Sequence, residues 1–118
     1  MPPTTWIMIT SRLKMKKFYS GVLPKITRAA RKCGYAIAVH GSMRRDLDLI
    51  AVPWVEKYSD KDTLAKKIQL AACGFKMARY DWEQKPNGRV ATAFPICWAS
   101  WNEPSVGHVD LSIMGDHT

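Results

Sequence analysis

The chain has 118 residues, 47% of them hydrophobic and 24% charged, with a formal net charge of +8. That length suits one domain over residues 1–118 with a single core and leaves too little chain for two. No apolar run approaches the ~20 residues that a membrane-spanning helix needs, so no membrane partner is expected. The first residues lack the apolar segment and cleavage site of a secretory signal.

Cys33, Cys73 and Cys97 are widely spaced, with no C-x-x-C pair. They fit free thiols in a reducing compartment better than a disulfide framework or a zinc site, so the expected location is the cytoplasm. Charge is unevenly spread. Residues 1–45 hold ten Lys and Arg and no acid, whereas residues 46–118 hold eight Lys and Arg and ten Asp and Glu. A basic half beside a group of carboxylates suits a polyanionic partner, RNA or DNA. A solubilising basic helix is the plainer alternative.

In chain order, residues 1–9 show no period and read as a loose tail, extending to about residue 10. The first clear helix is expected from Gly21 to Cys33, where Val22, Leu23, Ile26, Ala29, Ala30 and Cys33 form an apolar stripe. Lys25, Arg28 and Lys32 form a second stripe on its outer side and are the candidate nucleic-acid contacts. Pro24 is tolerable in a first helical turn, and Gly34 is a plausible stop. Tyr35–His40 and Arg45–Val52 read as strands joined through Gly41-Ser42. Ser59–Asp62 resembles a helix N-terminus, with Leu64, Ala65, Ile68, Ala71 and Ala72 continuing the helix to Gly74.

Phe75–Trp82 and Arg89–Trp98 are expected to form a hairpin around the Asn87-Gly88 turn. Pro95 would place the second of these at a sheet edge or a bulge. Lys85 and Arg89 flank the turn, as an exposed hairpin tip or as phosphate contacts. Trp98–Gly107 reads as a surface loop and His108–Met114 as a last strand. The order α-β-β-α-β-β-β implies an α/β (α+β) domain, a mixed β-sheet with helices packed on one face.

The chemistry concentrates in two of these strands. Side chains alternate along a strand, so Asp46 and Asp48 share one face while Leu47, Leu49 and Ala51 share the other. Two carboxylates side by side repel each other and resist leaving water; a divalent cation with hard oxygen ligands removes both objections. Asp110 alternates with Val109 and Leu111 in the same way. If its strand neighbours that of Asp48, three carboxylates meet, able to hold Mg²⁺ (or Mn²⁺) and polarise a triphosphate. Asp110 as mere decoration of a solvated strand is the alternative. His108 shares the Asp110 face, and His40 ends the first strand.

Three motifs in order, His40-Gly41-Ser42, Asp46-Leu47-Asp48-Leu49 and Val109-Asp110-Leu111, resemble the nucleotidyltransferase (DNA polymerase β-like) superfamily. More closely, residues 20 to 114 look like small phage and prophage proteins of that superfamily. Gly34–Ser42, Arg45–Trp54, Lys85-Pro86-x-Gly88-Arg89 and Asp110–Met114 carry this likeness.

The resemblance implies a minimal nucleotidyltransferase fold and metal-dependent transfer of a nucleotidyl group from a nucleoside triphosphate to a hydroxyl of RNA or protein. Asp46, Asp48 and Asp110 would be the catalytic and metal-binding carboxylates. Gly41 and Ser42 would approach the triphosphate. In typical members a helical turn or more separates Gly-Ser from Asp-x-Asp. Here only Met43-Arg44-Arg45 intervene, leaving Arg44 and Arg45 as the phosphate clamps. The competing expectation is a catalytically silent module of the same fold that binds nucleic acid or a host protein through its basic helix. The short spacing favours the second reading, and three intact carboxylates favour the first.

Overall fold

The computed structural model describes residues 4–100 and 103–115, with side chains over 15–96 and 107–115. Its elements are α1 (Thr4–Lys32), β1 (Tyr35–His40), β2 (Leu47–Pro53), α2 (Lys61–Cys73), β3 (Glu83–Gln84), β4 (Val90–Ser100) and β5 (Glu103–Ile113). The strands form one mixed sheet in the order β1-β2-β5-β4-β3. Only the β2–β5 pair is parallel, because the chain between them crosses over through α2. The expected α+β class, a mixed sheet with helices packed on it, holds.

Both helices pack on one face of the sheet. Tyr19, Val22, Ile26 and Ala30 of α1 and Leu64, Ala65 and Ile68 of α2 meet Leu47, Leu49 and Ala51 of β2 and Val109, Leu111 and Ile113 of β5. Each fully buried aliphatic side chain contributes about 1.5–3 kcal/mol. Strand alternation thus fixes which residues look away from the helices: Asp48 and Ile50 on β2, and His108, Asp110 and Ser112 on β5.

Three expectations need correction. The first helix begins at Thr4, not Gly21, so it is under way within the stretch read as a tail, and Pro24 lies inside it rather than in a first turn. Pro24 is exposed, and the carbonyl that its missing N–H would have engaged is that of Ser20, also exposed, where water can take its place.

Residues 75–82 form no strand. Their polar groups are taken by side chains instead of a ladder. The Met77 N–H donates to Gln69 Oε1 at 3.0 Å, and the Asp81 carbonyl accepts from Thr92 Oγ1 at 2.7 Å. Tyr80 turns inward against Phe94, ring centroids 5.5 Å apart.

Residues 98–100 and 103–107 are not a loop either. The β4–β5 ladder runs from Val90↔Ile113 to Ser100↔Glu103, a long hairpin whose tip, 101–102, lies outside the described residues. Pro95 sits where β4 has no outer neighbour, since β3 pairs only with Val90 and Ala91. Gln69 Nε2 reaches the Pro95 carbonyl there at 2.8 Å, so this proline is at a free edge as its chemistry requires.

The second helix matches expectation closely. Asp60 is its N-cap, accepting from the Thr63 N–H at 2.7 Å, and Gly74 closes it in the left-handed region at φ +81°. The Asn87-Gly88 turn also forms, as a 3₁₀ turn over Pro86–Gly88 with Asn87 at φ +66°. It joins β4 to the two-residue β3.

Candidate active site

Asp48 and Asp110 are directly paired positions on the parallel neighbours β2 and β5. On the other side of Asp48, His40 of β1 is its partner in the antiparallel pair. Adjacent strands lie about 4.8 Å apart. The sheet therefore carries His40, Asp48 and Asp110 in a row across three strands, on the face away from the helices. Asp46 stands just before β2 and is exposed, as is Asp110; Asp48 is half-buried.

This crowding is felt at Asp48. Its carboxyl is held above the usual carboxylate range, first by burial, then by the negative charge of Asp110; His40 pulls it back and Asp46 adds to the rise. An anionic Asp48 is thus costly in the bare protein, and a cation beside it would offset the cost. Among the described residues no three His, Cys, Asp or Glu side chains stand close enough together, as placed, to hold a metal ion.

The turn after β1 is shaped around Asp48. Gly41 adopts φ +81°, and a Cβ there would lie 3.0 Å from Asp48 Oδ2. Glycine is needed for both reasons, conformation and clearance. Met43, at φ +59°, is a non-glycine residue in the left-handed region, a strained conformation tolerated because its side chain packs on the core. Residues 41–46 contain no helical turn, as their short spacing requires. Ser42, Arg44 and Arg45 are exposed around this turn, leaving their hydroxyl and guanidinium groups accessible to an anion.

Tyr19 is the residue that sequence reasoning missed. Fully buried on α1, it donates its hydroxyl to the Arg45 carbonyl at 2.8 Å and accepts from the His108 N–H at 3.1 Å. The β2–β5 ladder begins just beyond, at Leu47↔Val109. Tyr19 thus stands in for the next rung and pins the Arg-bearing turn to the strand that carries Asp110. Burial, together with the charges of Asp46 and Asp48, raises its phenol pKa, and the His108 N–H opposes that rise. The periodic stripe points to Val22 and Ile26; one more turn upstream reaches Tyr19, a signal available but unused.

The basic candidates are not brought to the carboxylates. Lys25, Arg28 and Lys32 lie on α1, on the helical side of the sheet, and line a cleft against α2. Lys85 and Arg89 sit across the sheet at the β3–β4 turn, and Lys85 is already paired with Glu83 at 3.2 Å. Arg89 is four residues along β4 from Ala93, the partner of Asp110, a run of roughly 13 Å. Trp54 is 60% exposed, whereas Trp82 is anchored by an indole N–H donated to Asp62 at 2.8 Å. Cys33 and Cys73 are free thiols, one buried and one partly so. No described helix is long and apolar enough to cross a membrane.

No family model, no curated protein and no solved structure matches this chain.

Proposed function

We propose that the protein is a minimal nucleotidyltransferase, moving a nucleotidyl group from a nucleoside triphosphate onto a hydroxyl of RNA or protein with Mg²⁺ or Mn²⁺ as cofactor. The observation that carries this reading is the direct pairing of Asp48 with Asp110 on parallel strands. The raised Asp48 carboxyl, with Asp46 contributing, adds to it. Hard carboxylate oxygens crowded at the cost of mutual repulsion suit a divalent cation. Asp46, Asp48 and Asp110 would hold it, and the ion, when bound, would supply charge stabilisation to the reacting phosphoryl group.

The chain's own residues do the rest. Arg44 and Arg45 bind the triphosphate oxygens, with Ser42 as a further donor, and Tyr19 orients this turn through the Arg45 carbonyl. Gly41 leaves the Asp48 carboxylate unobstructed. Asp110, exposed where β5 begins to pair with β2, is the group able to accept the proton of an attacking hydroxyl. The phage affinity and the host-cell cytoplasm belong to the same reading.

A second reading is favoured by the helix-free turn at 41–46 and the absence of a converged three-donor group among the described residues. In it, the domain is catalytically silent and binds nucleic acid or a host protein. A label-transfer assay separates the two. Wild type, Asp48→Asn and Asp110→Asn are incubated with each α-labelled nucleoside triphosphate, Mg²⁺ or Mn²⁺, and cellular RNA and protein. Label on an acceptor with wild type alone supports the transferase; no label with any nucleotide leaves the binding module.

A further inference from the structure

The face opposite the carboxylates has its own concavity. The C-terminal part of α1 and the first turns of α2 enclose a cleft of about 590 Å³, within the size range of small-molecule sites. Lys25, Arg28 and Lys32 of α1 face Lys67 of α2 across it, with Ser59 and Thr63 at one end and small apolar side chains completing the wall. The three α1 cations recur at helical spacing, on the side away from buried Val22, Ile26 and Ala30.

Four like charges around one concavity repel, and among the described residues none of the four is ion-paired with a carboxylate. Asp60, beside Ser59, is committed to the Thr63 N–H. An anion is the missing counterpart.

We propose that this cleft binds the diphosphate group of a nucleotide-sized phosphorylated small molecule. Charge sets the class: a terminal phosphate carries about two negative charges near neutrality and an esterified inner phosphate about one more, so four cations exceed what one phosphomonoester needs and suit a diphosphate. Reach argues against a nucleic-acid track. On this side of α1, Gly21 separates Lys25 from the next cation, Lys17, a gap of roughly 12 Å along the helix, so the four cleft cations form a group of their own. The proposal stands apart from the transferase reading, since the two sites lie on opposite sides of the sheet.

The test is calorimetric titration of the full chain with ADP, with inorganic pyrophosphate and with a single-stranded oligoribonucleotide, all in EDTA. Equimolar binding of ADP or pyrophosphate, weakened about tenfold or more by Arg28→Glu or Lys67→Glu and unchanged in Asp48→Asn, is the expected result. ADP binding more tightly than pyrophosphate would identify a nucleotide, and equal binding the free diphosphate. Both cations are exposed, so the variants fold; Arg28→Ala and Lys67→Ala, checked by circular dichroism, guard that inference. Failure of both small ligands to bind, binding that survives charge reversal, or binding of the oligoribonucleotide alone would overturn the proposal.

Discussion

The Tyr19 hydroxyl occupies the space that a side chain on Gly107 would need: a Cβ there would lie 2.6 Å from Tyr19 Oη and 2.9 Å from Cε1. Helix α1 and strand β5 therefore approach as closely as a bare backbone allows, at the point where the hydroxyl bridges Arg45 and His108.

Two substitutions probe this contact. Gly107→Ala overpacks it and should cost about 1–3 kcal/mol in urea denaturation. Tyr19→Phe keeps the ring and removes both hydrogen bonds, costing about 1–3 kcal/mol, and should speed hydrogen exchange over residues 43–48. Wild-type exchange in that segment would show that the tyrosine is not its tether.

Asp48 links the site to stability through pH. Its carboxyl is raised above the ordinary 3.8, so its ionisation opposes folding. The associated stability is fully present below pH 3.8 and lost as pH rises through the elevated value. Asp48→Asn should therefore raise the melting temperature at neutral pH, with the gain vanishing in acid. Millimolar Mg²⁺ or Mn²⁺ should stabilise wild type and not this variant. A melting temperature lowered by Asp48→Asn at neutral pH would refute the argument.

Asp60 runs in the opposite direction. Hydrogen bonds from the α2 N-terminus, the Thr63 N–H foremost, lower its pKa. Its contribution is present above pH 3.8 and lost as pH falls through the depressed value. Asp60→Ala should cost about 1 kcal/mol at neutral pH and less in acid, read from thermal melts across that range.

Gln69 is fully buried, donating to the Pro95 carbonyl and accepting from the Met77 N–H and the Tyr80 hydroxyl. Gln69→Leu matches its bulk but strands these partners, at roughly 3 kcal/mol. Near-ultraviolet circular dichroism should report loosening around Tyr80. A variant as stable as wild type would mean that water replaces the amide.

Much of the sheet was legible because local chemistry specifies it. Alternation in Leu47–Val52 and Val109–Met114 places the aspartates on one face whatever the strands' neighbours. Asp60 and Gly74 mark α2 by capping, which needs only adjacent backbone. The failures share a cause. In residues 75–82 a strand-like composition yielded to hydrogen bonds from Gln69, on α2, and Thr92, on β4. In residues 98–100 and 103–107, a loop reading yielded to the β4–β5 ladder, and Pro104 falls where β5 has no second partner.

From the sequence alone came the helix stripes, the strand faces, the caps and the three candidate carboxylates, all consequences of interactions within a few residues. Only the tertiary structure decided that β2 and β5 are neighbours, setting Asp48 beside Asp110, and that Tyr19 completes their ladder. It also placed the α1 cations on the far side of the sheet from the carboxylates. Pairing across the sheet depends on which apolar faces can be buried together, and that is a property of the whole chain.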